Sequence, residues 1–333
     1  MNLKDRIKLF SSLGEQISSD SKVYFGDNFN DARIKNPWFT KSNVDIAISS
    51  IKECLLFDNI HSLLSNYDIP SIDAKRVLVI MAGNIPLVGF SDLFCVLITG
   101  NKLVVKFSSK DDVLIKFLLD KMIEIDSRIG SYIEIIEDVV KSDFDAVIAT
   151  GSDSSSKYFN YYFDSYKKII RKNRRSIAVL DGAETDHELE LLSDDIFMYF
   201  GLGCRSVSKL FLPPKYDLDK LFNAFYRYKD AINHLKYSNN YNYNKTIYLM
   251  NNENIFDNGF VLLKEDVSIQ SSISTLFYEF YNDRKALDSY IESNNSLFQC
   301  IVSRDNVQFG QSQFPRINDY ADKIDTINFL VNL

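Results

Sequence analysis

RVLVIMAGNIPLVGFSDLFCVLITGNKLVVKF, residues 76–107, is the stretch that decides the fold class of this chain. Arg76 to Ala82 is a short and almost wholly apolar run, Leu87 to Ile98 has the length of a helix, and Leu103 to Phe107 is a second short apolar run. Strands that are apolar on both sides are typical of parallel sheets covered by helices. The stretch therefore predicts a β-α-β unit of an α/β protein with a Rossmann-type sheet.

The same alternation continues towards the carboxyl terminus. It predicts further helices and strands that complete the first sheet, in the order Val113 to Ile125, Tyr132 to Ile136, Asp145 to Ala149, Ser155 to Arg171 and Ser176 to Leu180. Beyond them, Asp194 to Gly201 and the strand-like Ser208 to Leu212 predict a second α/β domain. The Tyr- and Asn-rich stretch Tyr237 to Asn244 is interpreted as a polar loop.

The predicted domain organisation has four parts. Residues 1–70 form a helical lead-in, as in Val44 to Phe57, whose apolar residues fall near one helical stripe. Residues 71–182 form a cofactor-binding domain, residues 183–305 a catalytic domain and residues 306–333 a C-terminal segment. With 333 residues, 46% of them hydrophobic, the chain is long enough to bury the cores that this organisation requires.

Charge and cysteine content restrict the function classes. The 45 acidic and 38 basic side chains give a formal net charge of −7, which disfavours nucleic acid as a partner. Four cysteines, Cys54, Cys95, Cys204 and Cys300, stand far apart with only three histidines, so neither a disulfide framework nor a metal site is expected. The amino terminus lacks the apolar core of a signal peptide, and no apolar run is long enough for a transmembrane helix, so a cytoplasmic location is expected.

Cys204 is the candidate nucleophile. It stands in Phe200-Gly-Leu-Gly-Cys-Arg-Ser, where two glycines allow a substrate to approach the backbone closely and Arg205 favours a thiolate electrostatically. The alternative is that Cys204 is a small buried hydrophobe, which is our interpretation of the other three cysteines.

Two loops that follow predicted strands carry candidate binding residues. In Met81-Ala-Gly-Asn-Ile-Pro, the amide of Asn84 is a candidate donor to an oxyanion, with a turn or N-cap asparagine as the alternative. In Ala149-Thr-Gly-Ser, the backbone at Gly151 and Ser152 is a candidate phosphate site at a helix N-terminus. A lone Gly-Ser turn is a weak signal, and the sequence has no GxGxxG fingerprint.

Lys106 ends a predicted strand and is followed by Ser108, Ser109 and Lys110. Lysine and serine at this position are suited to an adenosine ribose and its 2′-phosphate, whereas a carboxylate would repel that phosphate. The pattern therefore favours NADPH over NADH. The alternative is that the lysines are solvated charges at the sheet edge.

Taken in order, these motifs resemble the aldehyde dehydrogenase superfamily, and more closely its LuxC-like acyl-CoA reductases. The resemblance runs from about Arg76 to Leu333 and is strongest in Asp195-Ile-Phe-Met-Tyr-Phe-Gly-Leu-Gly-Cys-Arg-Ser-Val-Ser-Lys-Leu. Phe309-Gly-Gln-Ser-Gln-Phe-Pro and Asp319-Tyr-Ala-Asp-Lys-Ile-Asp-Thr also resemble the reductases, but the sequence suggests no mechanistic role for them. Several motifs in one order are much more specific than any one of them.

The resemblance implies a function and a set of roles. Cys204 would be the nucleophile, Asn84 and the Cys204 N–H would form the oxyanion hole, and five residues would contact NADPH: Lys106, Ser108, Ser109, Gly151 and Ser152. The enzyme would form an acyl thioester on Cys204 and reduce it to a fatty aldehyde. The expected partners are an acyl-CoA or acyl-carrier-protein thioester, an acyl-activating or acyl-transferring enzyme, and further copies of the chain in a homo-oligomer. The chain is also expected to be shorter at its N-terminus than many relatives.

One departure from the superfamily bears on the reaction. Hydrolytic aldehyde dehydrogenases carry a water-activating glutamate in Glu-Leu-Gly-Gly, and the matching stretch here is Val179-Leu-Asp-Gly. Without that base, a thioester on Cys204 persists long enough to accept a hydride. Asp181 is a possible substitute, although a turn aspartate is the commoner role. The alternatives are a hydrolytic NAD(P)-dependent aldehyde dehydrogenase, a non-catalytic acyl-binding or complex-assembly subunit, and an acyl transferase or thioesterase that uses Cys204 without redox chemistry.

Overall fold

The computed structural model describes residues 1–69, 73–139 and 142–333. The chain divides into two compact units. Unit 1 contains Met1–Asn173 and Pro315–Leu333, and unit 2 contains Arg174–Phe314. The chain thus leaves unit 1 once and returns to it near its end.

Unit 1 is built on a parallel sheet, called sheet A. Its strands are β1 (Arg76–Ile80), β2 (Lys102–Lys106), β3 (Ile133–Ile135), β4 (Ala146–Thr150) and β5 (Lys167–Arg171). Their spatial order is β3-β2-β1-β4-β5, and every neighbouring pair is parallel. The centres of β1, β2 and β4 are fully buried, because helices cover both faces. The Rossmann-type sheet predicted from the sequence is therefore confirmed.

The helices of unit 1 come from three parts of the chain. They are α1 (Leu3–Gln16), α2 (Ser21–Phe25), α3 (Asp27–Lys35), α4 (Lys41–Cys54), α5 (Phe57–Leu64), α6 (Phe90–Ile98), α7 (Val113–Ile125), α8 (Asp153–Tyr162) and α13 (Thr326–Val331). Helix α1 packs on α6 and α7, α3 packs on α7, and α13 packs on α6. The N-terminal helices and α13 belong to the same compact unit as sheet A. The predicted boundary between residues 70 and 71 lies outside the described residues.

Unit 2 contains a second sheet, called sheet B. Its strands are β6 (Arg175–Val179), β7 (Val207–Leu212), β8 (Ile255–Asp257), β9 (Leu262–Glu265), β10 (Thr275–Phe280) and β11 (Phe298–Val302). Their order is β11-β6-β7-β10-β9-β8, parallel except for the antiparallel pair β8–β9. The helices are α9 (Asp186–Phe197), α10 (Leu218–Phe225), α11 (Leu235–Met250) and α12 (Arg284–Ser293). The prediction of a second α/β unit is confirmed.

Two strands differ from the sequence-based prediction. The helix predicted over Ser155 to Arg171 ends at Tyr162, and Lys167–Arg171 is strand β5 beside β4. Ile169 and Ile170 are β-branched residues that suit a strand, and the Arg171 side chain is buried against Asp92. The strand predicted to complete the first sheet pairs instead with β7 and β11 in sheet B. Its apolar run identifies a buried strand without identifying its neighbours.

The polar loop predicted at Tyr237 to Asn244 is wrong, because this stretch lies within the 16-residue helix α11. His234 caps its N-terminus by accepting a hydrogen bond from the Tyr237 N–H. The buried residues Tyr237, Tyr241, Asn244 and Tyr248 recur every three or four positions, which is the spacing of one helical face. On that face the Tyr241 hydroxyl donates to Asp257 and Asn244 Nδ2 donates to the Ile273 carbonyl, so a tyrosine-rich sequence forms a packed helix.

Candidate active site

Three predicted binding segments lie together at one edge of sheet A. The carboxyl ends of β2, β1 and β4 are adjacent, and they lead into Lys106 to Ser109, the Asn84 loop and Gly151-Ser152. The chain runs outward from β1 through β2 to β3 and then continues with β4 on the other side of β1. Open α/β sheets bind ligands at such a reversal of strand order, so this edge is the candidate cofactor site of unit 1.

The Asn84 loop is held by side chains of unit 1. Asn36 donates a hydrogen bond to the Gly83 carbonyl at 3.1 Å, and the Leu87 N–H donates to Asp111 Oδ2 at 2.6 Å. A Cβ at Gly83 would lie 2.5 Å from Ser108 Oγ, so glycine is required where the two loops touch. Asn84 itself is exposed, and its role as a donor to an oxyanion stays a prediction.

Asp111 is a site residue that the sequence analysis missed. It is 4% exposed, and burial raises the pKa of its carboxyl group to about 8. Leu87, whose amide it accepts, has a φ of 59°, a conformation that L-residues seldom adopt. Asp111 therefore fastens the Asn84 loop to the loop after β2. The sequence gives little sign of this role. An aspartate in the polar run Lys110-Asp111-Asp112 is usually a surface residue, and only its position near the predicted ribose contacts points to the site.

The loop after β2 has the donor set expected for a phosphorylated ribose. Lys106 Nζ donates to the Glu137 carbonyl at 3.0 Å, while Ser109 and Lys110 are exposed. The two carboxyl groups that follow are engaged, since Asp111 is buried and Asp112 forms an ion pair with Lys35 at 2.8 Å. The loop therefore carries lysine and serine donors, and NADPH as the cofactor stays a prediction.

Gly151 and Ser152 form the turn between β4 and α8. Ser152 caps α8, because its Oγ accepts a hydrogen bond from the Ser155 N–H at 3.2 Å. A Cβ at Gly151 would lie 2.8 Å from Ser155 Cβ, so glycine permits the close passage of the strand into the helix. The turn presents the N-terminus of a 10-residue helix at the carboxyl edge of sheet A. Contact of these two residues with a cofactor phosphate stays a prediction.

Cys204 lies in unit 2, on a sharp turn between α9 and β7. Tyr199, Phe200 and Gly201 have consecutive φ values of 53°, 56° and 74°. Left-handed conformations cost free energy in residues other than glycine, and they persist where the surroundings determine the backbone. The Cys204 side chain is partly exposed at the end of this turn, in contrast to the buried Cys95 and Cys300.

The backbone at Cys204 is fixed by a buried serine. Ser176 Oγ, at the start of β6, donates to the Cys204 carbonyl at 2.9 Å and accepts from the Cys300 N–H at 3.0 Å. Arg205 Nη1 donates to Cys300 Sγ at 3.3 Å, whereas the sequence analysis pairs this guanidinium with Cys204. Stabilisation of a Cys204 thiolate by Arg205 stays a prediction.

The C-terminal motif without a predicted role contacts the nucleophile segment. Asp195, at the end of α9, is fully buried and accepts hydrogen bonds from the backbone N–H groups of Gly310 at 2.6 Å and Ser312 at 2.8 Å. Gln313 Nε2 donates to the Asp195 carbonyl at 3.3 Å and to Ser206 Oγ at 3.2 Å. Burial raises the pKa of Asp195 to about 6. The sequence motifs were visible, but their pairing was not.

Neither Val179 nor Asp181 is suited to activating water. Val179 is 3% exposed and packs in an apolar cluster with Phe211. Asp181 accepts from the Ala183 N–H at 2.8 Å and pairs with Arg304 at 3.0 Å. Although partial burial opposes it, these contacts keep the pKa of Asp181 below its usual value. Asp181 is thus a turn aspartate, as the commoner interpretation holds.

Two other features are absent from residues 1–69, 73–139 and 142–333. No group of three or more His, Cys, Asp or Glu side chains is arranged to hold a metal ion. In the same part of the chain, no helix has both the length and the apolar character needed to cross a bilayer.

Known proteins match the part of the chain that contains the Asn84 loop, the two predicted cofactor segments and the Cys204 turn. Residues 70–225 match the model of the family described as acyl-CoA reductase (LuxC). A curated relative, long-chain acyl-protein thioester reductase 2 from Photobacterium leiognathi, is 26% identical in an alignment over 171 residues that covers 46% of this chain and 36% of the relative. The match thus spans about a third of that relative's length. The resemblance to LuxC-like reductases is confirmed over a region that includes both Asn84 and Cys204.

Solved structures show the fold. Aldehyde dehydrogenase 21 from Physcomitrella patens, in complex with the reaction product succinate, has a TM-score of 0.67 at 12% identity and covers 100% of this chain and 84% of its own. A double mutant of betaine aldehyde dehydrogenase from Staphylococcus aureus, in complex with NAD+, has a TM-score of 0.64 at 14% identity, over 86% of this chain and 68% of its own. The fold is that of the aldehyde dehydrogenases.

Proposed function

We propose that this LuxC-like chain with the aldehyde dehydrogenase fold is an NADPH-dependent acyl-CoA reductase that carries its acyl group on Cys204. The observation that carries the proposal is the position of Cys204: a partly exposed thiol shortly after the left-handed residues Tyr199 to Gly201, in the region that matches the acyl-CoA reductases. A structural cysteine has no need of such a turn, whereas a nucleophile must present its sulfur to a substrate.

The first step forms an acyl-enzyme. Cys204 Sγ attacks the carbonyl carbon of an acyl thioester, a new carbon–sulfur bond forms, and the donor thiol leaves after taking up a proton. The negative charge that develops on the carbonyl oxygen requires hydrogen-bond donors. The predicted donors are the amide of Asn84 and the backbone N–H of Cys204.

The second step is reduction. NADPH, when bound, supplies a hydride to the thioester carbonyl carbon. Uptake of a proton by the resulting oxyanion gives the Cys204 thiohemiacetal. Its carbon–sulfur bond then breaks and its hydroxyl proton passes to the sulfur, which releases the aldehyde and restores the thiol. On this proposal Lys106, Ser108 and Ser109 contact the adenosine ribose and its 2′-phosphate, and Gly151 and Ser152 contact the diphosphate. The donor set at the end of β2 supports NADPH as the cofactor.

Reduction competes with hydrolysis of the acyl-enzyme, and the neighbourhood of β6 disfavours hydrolysis. Val179 is apolar and buried, and Asp181 is paired with Arg304. A thioester without a general base that activates water survives until the hydride arrives. A hydrolytic aldehyde dehydrogenase would need a base from elsewhere in the chain.

The proposed substrate is a long-chain acyl thioester on CoA or on an acyl-carrier protein. The curated relative is named for long-chain acyl-protein thioesters, which supports this substrate class. An acyl-activating or acyl-transferring enzyme would then supply the acyl group, and a homo-oligomer remains part of the proposal.

The experiment that tests the function follows intact mass and NADPH absorbance together, after long-chain acyl-CoA is added to the purified protein. The expected result is an acyl adduct on Cys204 that disappears when NADPH is added, with matched aldehyde formation. In the Cys204→Ala variant both the adduct and NADPH oxidation should be lost, while Cys54→Ala serves as the matched control and should retain them.

Other outcomes identify the alternatives. An adduct that NADPH leaves unchanged would indicate acyl transfer or thioesterase chemistry. Fatty acid formed from aldehyde with reduction of NADP+ would indicate a hydrolytic dehydrogenase. A protein that forms no adduct with acyl-CoA or acyl-carrier protein and oxidises no NADPH would be a non-catalytic acyl-binding subunit.

A further inference from the structure

The turn that bears Cys204 is bracketed by two residues that the same side chain contacts. Asp195 precedes the turn and Ser206 follows it, and Gln313 Nε2 donates to the carbonyl of the first and the hydroxyl of the second. Gln313 is 5% exposed, so these hydrogen bonds form away from water. One buried amide therefore spans the entry and the exit of the Cys204 turn.

The Asp195 carboxyl group joins the same two segments through a second set of contacts. It is fully buried, and its two oxygens accept from the Gly310 and Ser312 N–H groups. A buried carboxyl group is stable only when such partners are present. Gly310 is suited to this contact because its φ is 79° and a Cβ would lie 3.0 Å from Leu191 on α9.

The contacts of Asp195 and Gln313 stabilise a turn whose own backbone conformation is unfavourable. Tyr199 and Phe200 hold left-handed conformations, each of which costs on the order of 1 kcal/mol or more and persists only when surrounding contacts determine it. Ser176 fixes the Cys204 carbonyl, but it does not contact the start of the turn. The segment Phe309 to Gln313 contacts both ends of the turn.

We propose that Asp195 and Gln313 are positioning residues, which hold the turn so that the Cys204 sulfur is presented to its electrophile. Neither residue touches the substrate on this proposal. The inference rests on the proposed role of Cys204 as a nucleophile. On this proposal, the Phe309-Gly-Gln-Ser-Gln motif takes no part in a reaction step and acts by holding the Cys204 turn.

The test measures the reactivity of Cys204 without acyl-CoA or cofactor. Iodoacetamide is added to full-length protein over a range of pH, and peptide mapping gives the alkylation rate at each cysteine. Gln313→Ala and Asp195→Asn should each change the Cys204 rate about tenfold or more, because the rate with a freely diffusing reagent follows the exposure and the thiolate fraction of the sulfur, which the turn sets. Cys54, in unit 1, should react at an unchanged rate and so serves as the internal reference.

Two matched controls come from neighbouring residues of the same type. Gln311 is exposed in the same motif, and Asp194 accepts from the Tyr228 hydroxyl rather than from the C-terminal segment. Gln311→Ala and Asp194→Asn should react like the wild-type protein. Urea unfolding of every variant distinguishes a local displacement of the turn from loss of the fold.

The outcomes separate this inference from the proposed function. A wild-type alkylation rate and pH profile in both Gln313→Ala and Asp195→Asn would overturn the inference, as would a loss that occurs only in protein that is already unfolded. Failure of the wild-type protein to form an acyl adduct would overturn the proposed function, while the alkylation rates would still test whether Asp195 and Gln313 position the turn.

Discussion

A single carboxyl group, that of Asp111, connects the two loops that carry Asn84 and the predicted ribose contacts. Its Oδ2 accepts from the Leu87 N–H, and no partner for its Oδ1 occurs within the described part of the chain. A buried carboxyl group in this position is more stable in its protonated form. The Asn84 loop therefore depends on the protonation of a residue that does not belong to the predicted catalytic set.

This pKa predicts how stability changes with pH. The carboxyl group titrates near 4 in the unfolded chain and at about 8 in the folded one, so the folded state binds the proton more tightly. Asp111 therefore contributes stability that is present below pH 4 and is lost as the pH rises through 8, with a slope of at most ~1.4 kcal/mol per pH unit. We expect the urea midpoint to fall between about pH 5 and pH 8, and Asp111→Asn to flatten that fall.

The neighbouring carboxylate is the control for this prediction. Although partial burial opposes it, the hydrogen bond from Lys35 keeps the pKa of Asp112 below its usual value. Asp112→Asn should therefore leave the fall of the urea midpoint with rising pH unchanged. An equal slope in the wild-type protein and Asp111→Asn would contradict the assignment to Asp111.

At the scale of elements, the sequence predicted where strands and helices occur better than it predicted which elements pair with each other. The strands in residues 76–107 were recognised because a parallel strand buried on both faces has a continuous apolar run. Helix α11 was missed because its buried face consists of tyrosine and asparagine, which the sequence pattern counts as polar. Strand β6 was recognised as a strand, but the choice between two sheets depends on contacts with β7 and β11 that are distant in sequence.

The same limit applies to the candidate site. Cys204 and Asn84 stand among glycines and a proline that mark unusual backbone, so the sequence draws attention to them. Asp111, Asp195 and Gln313 act through backbone groups far along the chain or in another loop, and no local pattern identifies such pairs. Their roles were accessible only from the folded geometry.

A buried ion pair joins β5 to α6 in unit 1. Arg171 is 4% exposed, contacts the Asp92 carboxylate, and donates through Nη2 to Thr326 Oγ1 at 3.0 Å. Removal of one member leaves the other charge buried and unpaired, which typically costs about 3–5 kcal/mol. Arg171→Met should therefore lower the free energy of unfolding by several kcal/mol, as measured by urea denaturation.

The control for this ion pair lies on the same strand. Lys168 pairs with Asp164, whose side chain is 91% exposed, and exposed pairs contribute about 1 kcal/mol or less. Lys168→Met should therefore have a small effect. Equal effects of the two substitutions would show that the burial of the Arg171–Asp92 pair does not contribute to stability as described.

At the scale of the whole molecule, the last segment of the chain completes unit 1. Asp325 accepts from the Tyr67 hydroxyl at 2.8 Å, and the Leu330 carbonyl accepts from Asn101 Nδ2 at 3.3 Å. Helix α13 packs on α6. These contacts are made with residues more than 200 positions earlier in the sequence, so unit 1 is closed by its two most distant parts.

A chain that ends at Phe314 tests this dependence. We expect faster amide hydrogen exchange in α6 and β5, because α13, which packs on α6, and Thr326, which accepts from Arg171, are removed. Exchange in β6 and β7 of unit 2 should be unchanged. Hydrogen-exchange mass spectrometry of the shortened and full-length chains makes the comparison. Loss of protection in sheet B with no change in sheet A would contradict it.

The division of unit 1 into two stretches of sequence has a consequence for protein synthesis. Unit 2 is continuous from Arg174 to Phe314, whereas unit 1 waits for Pro315–Leu333. At typical bacterial or eukaryotic elongation rates, translation of the intervening stretch takes on the order of ten seconds. During that time the nascent sheet A lacks α13 beside α6. Unit 1 is therefore synthesised first but completes its fold last. Molecular chaperones that bind exposed apolar surface of nascent chains would act on unit 1 during this interval.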